Sequence, residues 1–199
     1  MMTTQPTTIC LINGHPDREN GHYIPALADA YQKGAEAAGH TVRRLNIAEY
    51  DLTPMRSPGQ FYGDADETFI KEGQQAILDS HHVVLMFPLW LGGVPAYTRA
   101  WLEHMARGGF MLEENEDNGW PKANMHGKSL RIVCTMGMPS SAYRLFFGAM
   151  GVRSMERGMF GISGFHPIHH NFIGMVEGIG QKGREHWIER MEEFGAKAR

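Results

Sequence analysis

An unbroken apolar run followed by a glycine-rich loop is the feature that most constrains this chain. Residues 83–87 read Val-Val-Leu-Met-Phe, and residues 88–95 read Pro-Leu-Trp-Leu-Gly-Gly-Val-Pro. A strand that is apolar on both faces is typical of the centre of a parallel sheet, where helices cover both sides. The two glycines permit backbone conformations closed to other residues, and the two prolines suit the end of a strand and the start of a helix. The stretch therefore predicts a central strand, a loop and a helix.

The loop after this strand is the first candidate site. Open α/β sheets bind ligands at the carboxyl ends of their strands, and Trp90 offers a flat apolar surface there. An ordinary buried strand with a glycine-rich turn is an equal alternative, because strand, turn and helix recur in α/β folds of unrelated function. Features elsewhere in the sequence distinguish these two interpretations.

A family resemblance begins in this stretch. Residues 87–105, FPLWLGGVPAYTRAWLEHM, are followed by Gly109 and Phe110. Together they resemble the flavin loop and the following helix of the NAD(P)H:quinone oxidoreductase family, a flavodoxin-like group. The resemblance implies that the flavin ring packs against Pro88, Leu89, Trp90 and Leu91.

The second candidate site follows the first predicted strand, Thr8–Asn13. The loop GHPDRENGHY, residues 14–23, leads into a helix that begins near Tyr23 and ends at Gly39. The amino terminus of a helix presents free N–H groups and a positive dipole end, so phosphate is the ligand expected there. The alternative is a solvated turn, since Asp, Asn and Gly form turns on their own account.

The family carries its flavin-phosphate loop at the same place. The residues that match its pattern are His15, Pro16, Asn20, His22 and Tyr23. The departure from that pattern is that Glu19, Asn20 and Gly21 stand where many members have a Thr/Ser-rich segment. A carboxylate beside a phosphate costs free energy unless Arg18 offsets it.

The third candidate site follows the predicted strand Ser129–Thr135. The residues that match the third flavin-contacting loop of the family are Thr135, Gly137, Ser140 and Tyr143. Backbone N–H groups in such a loop can stabilise charge that develops on a reduced flavin. Tyr143 is the candidate catalytic residue, with a partly buried helix residue as an equal alternative. Ala149 stands where the animal enzymes have a histidine, so a Tyr/His relay is not supported.

A polar, turn-rich excursion over residues 108–128 resembles the loop that borders the substrate pocket in the family. Phe110 and Trp120 are its candidate pocket aromatics. Its acidic residues, Glu113, Glu114, Glu116 and Asp117, are interpreted as a solvated loop rather than as catalytic carboxylates.

The other elements follow from periodicity. We expect an edge strand at Thr41–Asn46, a long surface loop over residues 47–66, a helix over residues 67–79, a helix over residues 154–162, a strand within residues 167–176 and a helix over residues 183–198. One face of the helix after the central strand carries Tyr97, Trp101, Leu102 and Met105. Such a face is more typical of core packing or a dimer contact than of a cofactor site, and we favour the dimer contact.

These elements predict one fold. Five strands that alternate with helices, with ligand-type loops after the first, third and fourth, indicate a three-layer, doubly wound, five-stranded parallel sheet in the flavodoxin-like order 2-1-3-4-5. No linker or shift in composition divides the 199 residues, so we expect a single domain over residues 1–199.

Composition excludes several classes of function. With 19 basic and 22 acidic residues the net charge is −3, which argues against a nucleic-acid partner. No apolar segment approaches the roughly 20 residues that span a bilayer, so we expect no membrane insertion. The start MMTTQPTT lacks the features of a signal peptide, and the expected location is the cytoplasm.

Two further residue groups are assigned no chemistry. Cys10 and Cys134 both lie inside predicted strands and are expected to be buried free thiols. His166, His169 and His170 invite a zinc hypothesis, but no second cluster of ligands accompanies them at a familiar spacing. We therefore expect no metal.

The resemblance implies a flavin-dependent NAD(P)H oxidoreductase that works by a ping-pong cycle, with a quinone or similar small molecule as acceptor, and a homodimer. FMN is expected as the cofactor because a short chain leaves little material for an adenine pocket, and FAD is the alternative. The preference between NADH and NADPH stays open.

Two other classes of function remain as alternatives. The first is a flavin-binding regulatory subunit, since relatives of this size serve as ancillary proteins of glutathione-gated potassium-efflux systems and act through a peripheral transporter partner. The second is a flavodoxin-type electron carrier, which the modest net charge of −3 disfavours because such carriers use an acidic face.

Overall fold

A sheet of five parallel strands organises the computed structural model, which describes residues 5–19, 21–115 and 119–199. The strands in chain order are β1 Thr8–Asn13, β2 Thr41–Asn46, β3 His82–Pro88, β4 Leu112–Glu113, β5 Lys122–Ala123, β6 Ser129–Thr135 and β7 Ile168–Ile173. The main sheet runs β2-β1-β3-β6-β7, and β4 and β5 form a separate antiparallel pair. Counted along the main sheet, this is the predicted flavodoxin-like order 2-1-3-4-5, which is confirmed.

Helices cover both faces of this sheet. They are α1 Tyr23–Ala37, α2 Pro58–Tyr62, α3 Thr68–Leu78, α4 Ala96–Met105, α5 Ser140–Leu145, α6 Met150–Met155 and α7 Gly180–Ala196, with a 3-10 turn at Ile47–Glu49 and a π-helical segment at Glu156–Gly161 that continues α6. Helices α1 and α7 supply the core on one face of the sheet, and α3, α4 and α6 supply it on the other.

The central strand β3 is buried on both faces, as predicted. Val83, Leu85 and Phe87 point into the core beneath α3 and α4, while Val84 and Met86 point into the core beneath α1 and α7. This alternation explains why the sequence shows a continuous apolar run here rather than one polar face. The strand extends one residue beyond the predicted range at each end.

The prediction of an irregular loop over residues 47–66 is wrong in part, because this stretch contains α2. The Ser57 hydroxyl accepts from the Gln60 N–H at 3.3 Å, and the Gln60 side chain accepts from the Ser57 N–H at 3.2 Å. This reciprocal pair is a capping box, and Pro58 fits the first position of the helix. No residue of α2 is buried, so the segment lacks the apolar stripe that sequence periodicity detects.

The interpretation of the aromatic face of α4 as a dimer contact is also wrong. Trp101, Leu102 and Met105 are at most 1% exposed and lie in the core of this chain. The aromatic stripe thus packs against the chain's own sheet, because a helix shows the same periodicity whether it covers a sheet or a second subunit.

Both cysteines are buried free thiols, as predicted. Burial raises the pKa of each thiol to about 12, which keeps Cys10 and Cys134 protonated. Within residues 5–19, 21–115 and 119–199, no three or more His, Cys, Asp and Glu side chains are grouped to hold a metal ion. In the same ranges, no helix has the length and apolarity to cross a membrane.

Helices α1 and α7 touch backbone to backbone at two glycines. A β-carbon at Gly34 would lie 2.0 Å from the Glu192 carbonyl oxygen, and one at Gly195 would lie 2.0 Å from the Tyr31 carbonyl oxygen. Only a residue without a side chain fits at either point, so these glycines fix how closely α7 approaches α1. That approach matters for function because α7 carries part of the site described below.

The substitution Gly34→Ala should destabilise the protein, because its β-carbon collides with the backbone of α7. We expect a free energy of unfolding lower by about 2 kcal/mol or more in urea titration, in the range of overpacked cores. Gly59→Ala is the matched control, since a β-carbon there meets nothing within 4 Å. A loss for Gly34→Ala no larger than that for the control would contradict this description of the α1–α7 contact.

Candidate functional site

One cavity lies at the carboxyl ends of β1, β3 and β6, where the sequence placed its three candidate loops. Its volume is about 690 Å³, within the range usual for small-molecule sites. The predicted residues that line it are His15, His22, Tyr23, Pro88, Leu89, Trp90, Thr135 and Gly137. The structure therefore brings together residues from all three loops.

Five other predicted site residues are not among those that line this cavity. Asn20 lies outside the described residues. Leu91, Tyr143, Phe110 and Trp120 do not line the cavity. Phe110 packs partly buried against the core, and the Trp120 side chain is largely exposed on the β4–β5 excursion. Neither aromatic lines the cavity between Met111 and Met159 either.

The first loop is anchored to the central strand at Gly14. Its N–H donates to the Met86 carbonyl at 2.7 Å, and its own carbonyl accepts from the Thr98 hydroxyl of α4 at 2.7 Å. A β-carbon at this position would lie 2.7 Å from the Met86 carbonyl oxygen, so the close crossing requires glycine. The loop is thereby fixed against both the strand and the helix of the second loop.

Local hydrogen bonds shape the rest of the first loop. The Asn13 side chain accepts from the His15 N–H at 3.2 Å, and His15 Nδ1 accepts from the Asp17 N–H at 3.2 Å. A neutral His15 therefore carries its proton on Nε2. The Asp17 carboxylate accepts from the Glu19 N–H at 3.0 Å, which is the Asx-turn chemistry expected of such a sequence.

Two histidines that line the cavity stack on each other. The rings of His15 and His22 are 3.9 Å apart between centroids and tilted by 22°. Burial, and secondarily the neighbouring His22, holds the pKa of His15 below its usual value, so His15 is neutral at neutral pH. His22 Nε2 lies 2.9 Å from the Asp17 carboxylate. The Glu19 backbone N–H, and after it His22, lowers the pKa of Asp17, which stays ionised.

The amino terminus of α1 faces the same cavity. His22 is the cap residue, and its side chain makes no capping hydrogen bond to the described part of the helix. The first-turn N–H groups of Tyr23 and Ile24 are therefore available to an anion. Pro25 follows at a position where a missing N–H costs nothing.

Arg184 of α7 also lines the cavity, although nothing in the sequence pointed to it. Its carbonyl accepts from the Tyr23 hydroxyl at 3.0 Å, which ties α7 to the first turn of α1. Arg18 had been expected to offset the charge of Glu19, but its guanidinium donates to the carbonyls of Ala48 and Glu49. Arg184, whose Nη1 donates to the Val176 carbonyl at 3.4 Å, lines the cavity, and Arg18 does not.

A tight turn presents the aromatic residue of the second loop. Trp90 and Gly93 exchange N–H to carbonyl hydrogen bonds of 2.9 and 3.0 Å, and the two residues between them have φ of 47° at Leu91 and 81° at Gly92. Trp90 is 51% exposed and meets the His15 ring edge-on, at 6.4 Å between centroids. The turn leaves Leu91 fully exposed, which explains why it does not line the cavity.

Tyr143 supports this turn from below instead of facing the cavity. Its side chain is 1% exposed, and its hydroxyl donates to the Gly92 carbonyl at 3.0 Å. Burial raises its pKa, so the hydroxyl is neutral. The Tyr143 hydroxyl thus binds the backbone of the second loop, and a catalytic role for this residue stays a prediction.

The backbone of α6 also approaches the Trp90 turn closely. A β-carbon at Gly151, at the start of α6, would lie 2.2 Å from the Gly92 carbonyl oxygen. The Trp90 turn is thus held between the Tyr143 hydroxyl and the backbone of α6.

The third loop contributes backbone groups. The N–H groups of Gly137 and Met138 have no acceptor among the described residues. Met136 and Val176 hold the loop beside the start of α7 through a hydrogen bond of 3.2 Å. Val176 and Glu177 line the cavity as a result, and sequence reasoning missed both because they follow the last strand, for which no site was proposed.

The residues present fit a flavin mononucleotide. The helix terminus, His22 and Arg184 form a donor set suited to a phosphate, while Trp90, Leu89 and Pro88 offer an apolar wall for a planar ring. The free N–H groups of the third loop suit the polar edge of such a ring. Each of the three loops thus matches one chemical part of the ligand.

Comparison with known protein families agrees with this fold. The Flavodoxin_2 model, described as a flavodoxin-like fold, matches residues 7–194, which is almost the whole chain. The match confirms the flavodoxin-like resemblance predicted from the sequence.

Two curated relatives are similar in sequence. A protein of Haemophilus influenzae named an uncharacterized NAD(P)H oxidoreductase is 22% identical over 183 residues, covering 90% of this chain and 89% of that protein. A glutathione-regulated potassium-efflux system ancillary protein of Escherichia coli is 26% identical over 145 residues, covering 72% of this chain and 65% of that protein.

Two solved structures illustrate the likeness of fold. The NAD(P)H:quinone oxidoreductase from Methanothermobacter marburgensis has a TM-score of 0.76 at 16% identity, covering 98% of this chain and 100% of that chain. An FMN-dependent NADH-azoreductase from Bacillus anthracis, solved in complex with FMN, has a TM-score of 0.71 at 11% identity, covering 96% of this chain and 98% of that chain.

The substitution Gly151→Ala should loosen the Trp90 turn, because its β-carbon would displace the Gly92 carbonyl. We expect hydrogen exchange at the Trp90 and Gly93 amides to accelerate by about tenfold or more, which corresponds to about 1.4 kcal/mol of lost local stability. Gly158→Ala, on the continuation of the same helix, meets nothing within 4 Å and is the matched control. Unchanged exchange at these two amides in Gly151→Ala would show that α6 does not hold the turn.

Proposed function

Because this chain belongs to the Flavodoxin_2 family of flavodoxin-like fold, we propose that it is an FMN-dependent NAD(P)H:quinone oxidoreductase. The observation that carries the proposal is the meeting, in one cavity, of a phosphate-type donor set and an apolar aromatic wall. The names of the Haemophilus influenzae relative and of the Methanothermobacter marburgensis structure support this class of activity.

FMN is the proposed cofactor. Bound there, it would take a hydride from NAD(P)H and pass two electrons to a quinone, which is chemistry that no side chain supplies. The FMN complex of the Bacillus anthracis azoreductase, whose fold is the same, supports FMN over FAD.

The residues of this chain would bind and orient the cofactor. The first turn of α1, His22 and Arg184 would hold the phosphate. The Asp17 carboxylate would repel the phosphate less than an unpaired carboxylate would, because His22 and the Glu19 N–H both bind this carboxylate. Pro88, Leu89 and Trp90 would pack on the ring. The N–H groups of Gly137 and Met138 would stabilise negative charge at its edge.

The catalytic cycle we propose is ping-pong. Trp90 lines the cavity and is half exposed, so NAD(P)H and the acceptor would occupy the same face in turn. No acid or base from a side chain is assigned, since Tyr143 is buried against Gly92. We further propose a single domain that forms a homodimer and works in the cytoplasm, where NAD(P)H is supplied.

A regulatory role is the second candidate. The Escherichia coli relative is named an ancillary protein of a potassium-efflux system, which favours a flavoprotein that acts through a transporter. The two candidates differ in turnover, because a purely regulatory subunit would bind flavin and reduce acceptors negligibly.

Absorption spectroscopy of the purified protein tests the proposal. We expect a flavin spectrum, release of FMN on denaturation as identified by mass, bleaching by NADPH or NADH without oxygen, and recovery on addition of a soluble quinone. A protein that takes up no flavin on reconstitution would contradict the proposed cofactor. A flavin that never bleaches with either nucleotide would contradict the oxidoreductase assignment.

The substitution Trp90→Asp should weaken FMN binding, because it removes the apolar wall and places a carboxylate beside the ring. We expect the dissociation constant, measured by flavin fluorescence, to rise by about tenfold or more, as the loss of one buried aromatic contact implies. Trp120→Asp is the matched control, since that tryptophan is also exposed but does not line the cavity. If the two variants bound FMN with equal affinity, the flavin ring would not pack on Trp90.

The substitution Arg184→Gln should also weaken FMN binding, because it removes the only Lys or Arg side chain among the described residues that line the cavity. We expect about a tenfold rise in the dissociation constant at low salt, typical of a lost charge-assisted contact, and a smaller rise at high salt. Lys182→Gln removes an equal charge from the same helix and should leave the affinity unchanged. A salt-independent effect would contradict a phosphate contact.

A further inference from the structure

The first loop, residues 14–23, contains no serine or threonine that could donate to a phosphate. Its tyrosine, Tyr23, already donates its hydroxyl to the Arg184 carbonyl at 3.0 Å. His22 stands at the cap position of α1 and lines the cavity. A histidine differs from a hydroxyl group because the hydrogen bonds it can donate depend on its protonation state. The protonation state of His22 therefore decides what this side chain offers to a phosphate.

One nitrogen of the His22 ring is already engaged. Nε2 lies 2.9 Å from one oxygen of the Asp17 carboxylate, and the other oxygen accepts from the Glu19 N–H at 3.0 Å. That N–H, and after it His22, lowers the pKa of Asp17, so the carboxylate is ionised. Because an ionised carboxylate only accepts hydrogen bonds, Nε2 of His22 must carry a proton.

The second nitrogen of His22, Nδ1, has no hydrogen-bond partner among the described residues. In a neutral ring whose Nε2 carries the proton, Nδ1 is an acceptor, and its lone pair repels the oxygens of a phosphate. Only the imidazolium form donates from both nitrogens at once. Its Nδ1–H would give a phosphate a charge-assisted hydrogen bond, while Nε2–H stays on Asp17.

We propose that binding of the FMN phosphate takes up one proton, on Nδ1 of His22, and that Asp17 is the positioning residue that imposes this uptake by occupying Nε2. Because the phosphate is that of FMN, the proton uptake rests on the proposed function. The affinity for FMN is then complete at a pH where His22 is already protonated in the free protein. It falls as the pH rises through the range in which histidine titrates.

The other ionisable groups of the first loop do not take this proton. The His15 ring stacks on His22 at 3.9 Å, but its Nδ1 accepts from the Asp17 N–H and its Nε2 already carries a proton. Arg18 donates to backbone carbonyls that follow β2. Glu19 is exposed, and glutamate keeps its charge throughout the range in which histidine titrates.

The ionisable groups that other elements bring to the cavity keep their charges as well. Burial raises the pKa of Tyr23, at the start of α1, to about 12. Glu177 and Arg184 line the cavity with opposite charges, and glutamate and arginine do not titrate where histidine does. Among the described residues that line the cavity, His22 is thus the group whose charge changes on binding.

Titration calorimetry in two buffers of different ionisation enthalpy counts the protons taken up. At pH 7.5 most FMN is already a dianion, because a phosphate monoester loses its second proton at about pH 6. We expect uptake of about half a proton or more with FMN and none with riboflavin, which lacks the phosphate. The dissociation constant of FMN should rise by about tenfold between pH 7 and pH 9, while that of riboflavin stays constant.

The substitution His22→Asn should abolish both the proton uptake and this pH dependence, because an amide donates a hydrogen bond without titrating. His126→Asn is the matched control, since His126 is exposed before β6 and does not line the cavity. This control should take up protons as the unmodified protein does. Proton uptake that persists in His22→Asn would overturn the proposal, because another group would then receive the proton.

The substitution Asp17→Asn distinguishes positioning from a purely structural role. The new amide oxygen can still accept from the Glu19 N–H, while its NH2 group donates to Nε2 of His22. Neutral His22 then carries its proton on Nδ1 and can donate to the phosphate at once. We expect this variant to bind FMN without proton uptake and with one affinity from pH 7 to pH 9. Weaker binding at every pH with the uptake retained would overturn the positioning role.

Two outcomes separate this proposal from the proposed function. Binding of FMN to the unmodified protein without proton uptake would overturn the role of His22 and leave the cofactor in place. Absence of FMN binding would overturn the proposed cofactor itself. Nitrogen NMR of the His22 ring needs no substitution, and both ring nitrogens should be protonated at pH 7.5 in the FMN complex. A neutral His22 ring in that complex would overturn the proposal.

Discussion

The burial of β3 on both faces is the constraint on which the rest of this structure depends. Because β3 must be covered by helices on both sides and paired on both edges, β1 and β6 become its neighbours. All three strands run in the same direction, so the loops that follow them emerge at one edge of the sheet. The candidate site is a consequence of this arrangement, since each loop brings a different chemistry to the same cavity.

The Trp90 turn shows how support residues outside the cavity determine the site. Leu91 adopts a left-handed conformation that costs a β-carbon-bearing residue about 1 kcal/mol or more, and such a conformation persists where the surroundings impose it. The Tyr143 hydroxyl and the start of α6 supply that constraint through Gly92. Tyr143 thereby contributes to the position of Trp90.

Much of this fold could be predicted from the sequence because its signals are local. The bounds of β1, β2 and β6 follow from short apolar patterns, and His15, Trp90 and Gly137 sit in loops between such patterns. Arg184 could not be predicted, since it reaches the cavity only because α7 packs on α1 at Gly34 and Gly195. The burial of Trp101 was equally beyond sequence reasoning, because helical periodicity marks an apolar face without showing what covers it.

In the proposed function, the cavity would hold the phosphate of FMN at the start of α1 and its flavin ring at Trp90. Isothermal titration calorimetry of the flavin-free protein with FMN and with riboflavin separates the phosphate contact from the ring contact, because the two ligands differ only in the phosphate. We expect FMN to bind at least about tenfold more tightly than riboflavin at low salt, as charge-assisted hydrogen bonds imply. Equal affinities for the two flavins would contradict it, because the helix terminus, His22 and Arg184 would then hold no phosphate.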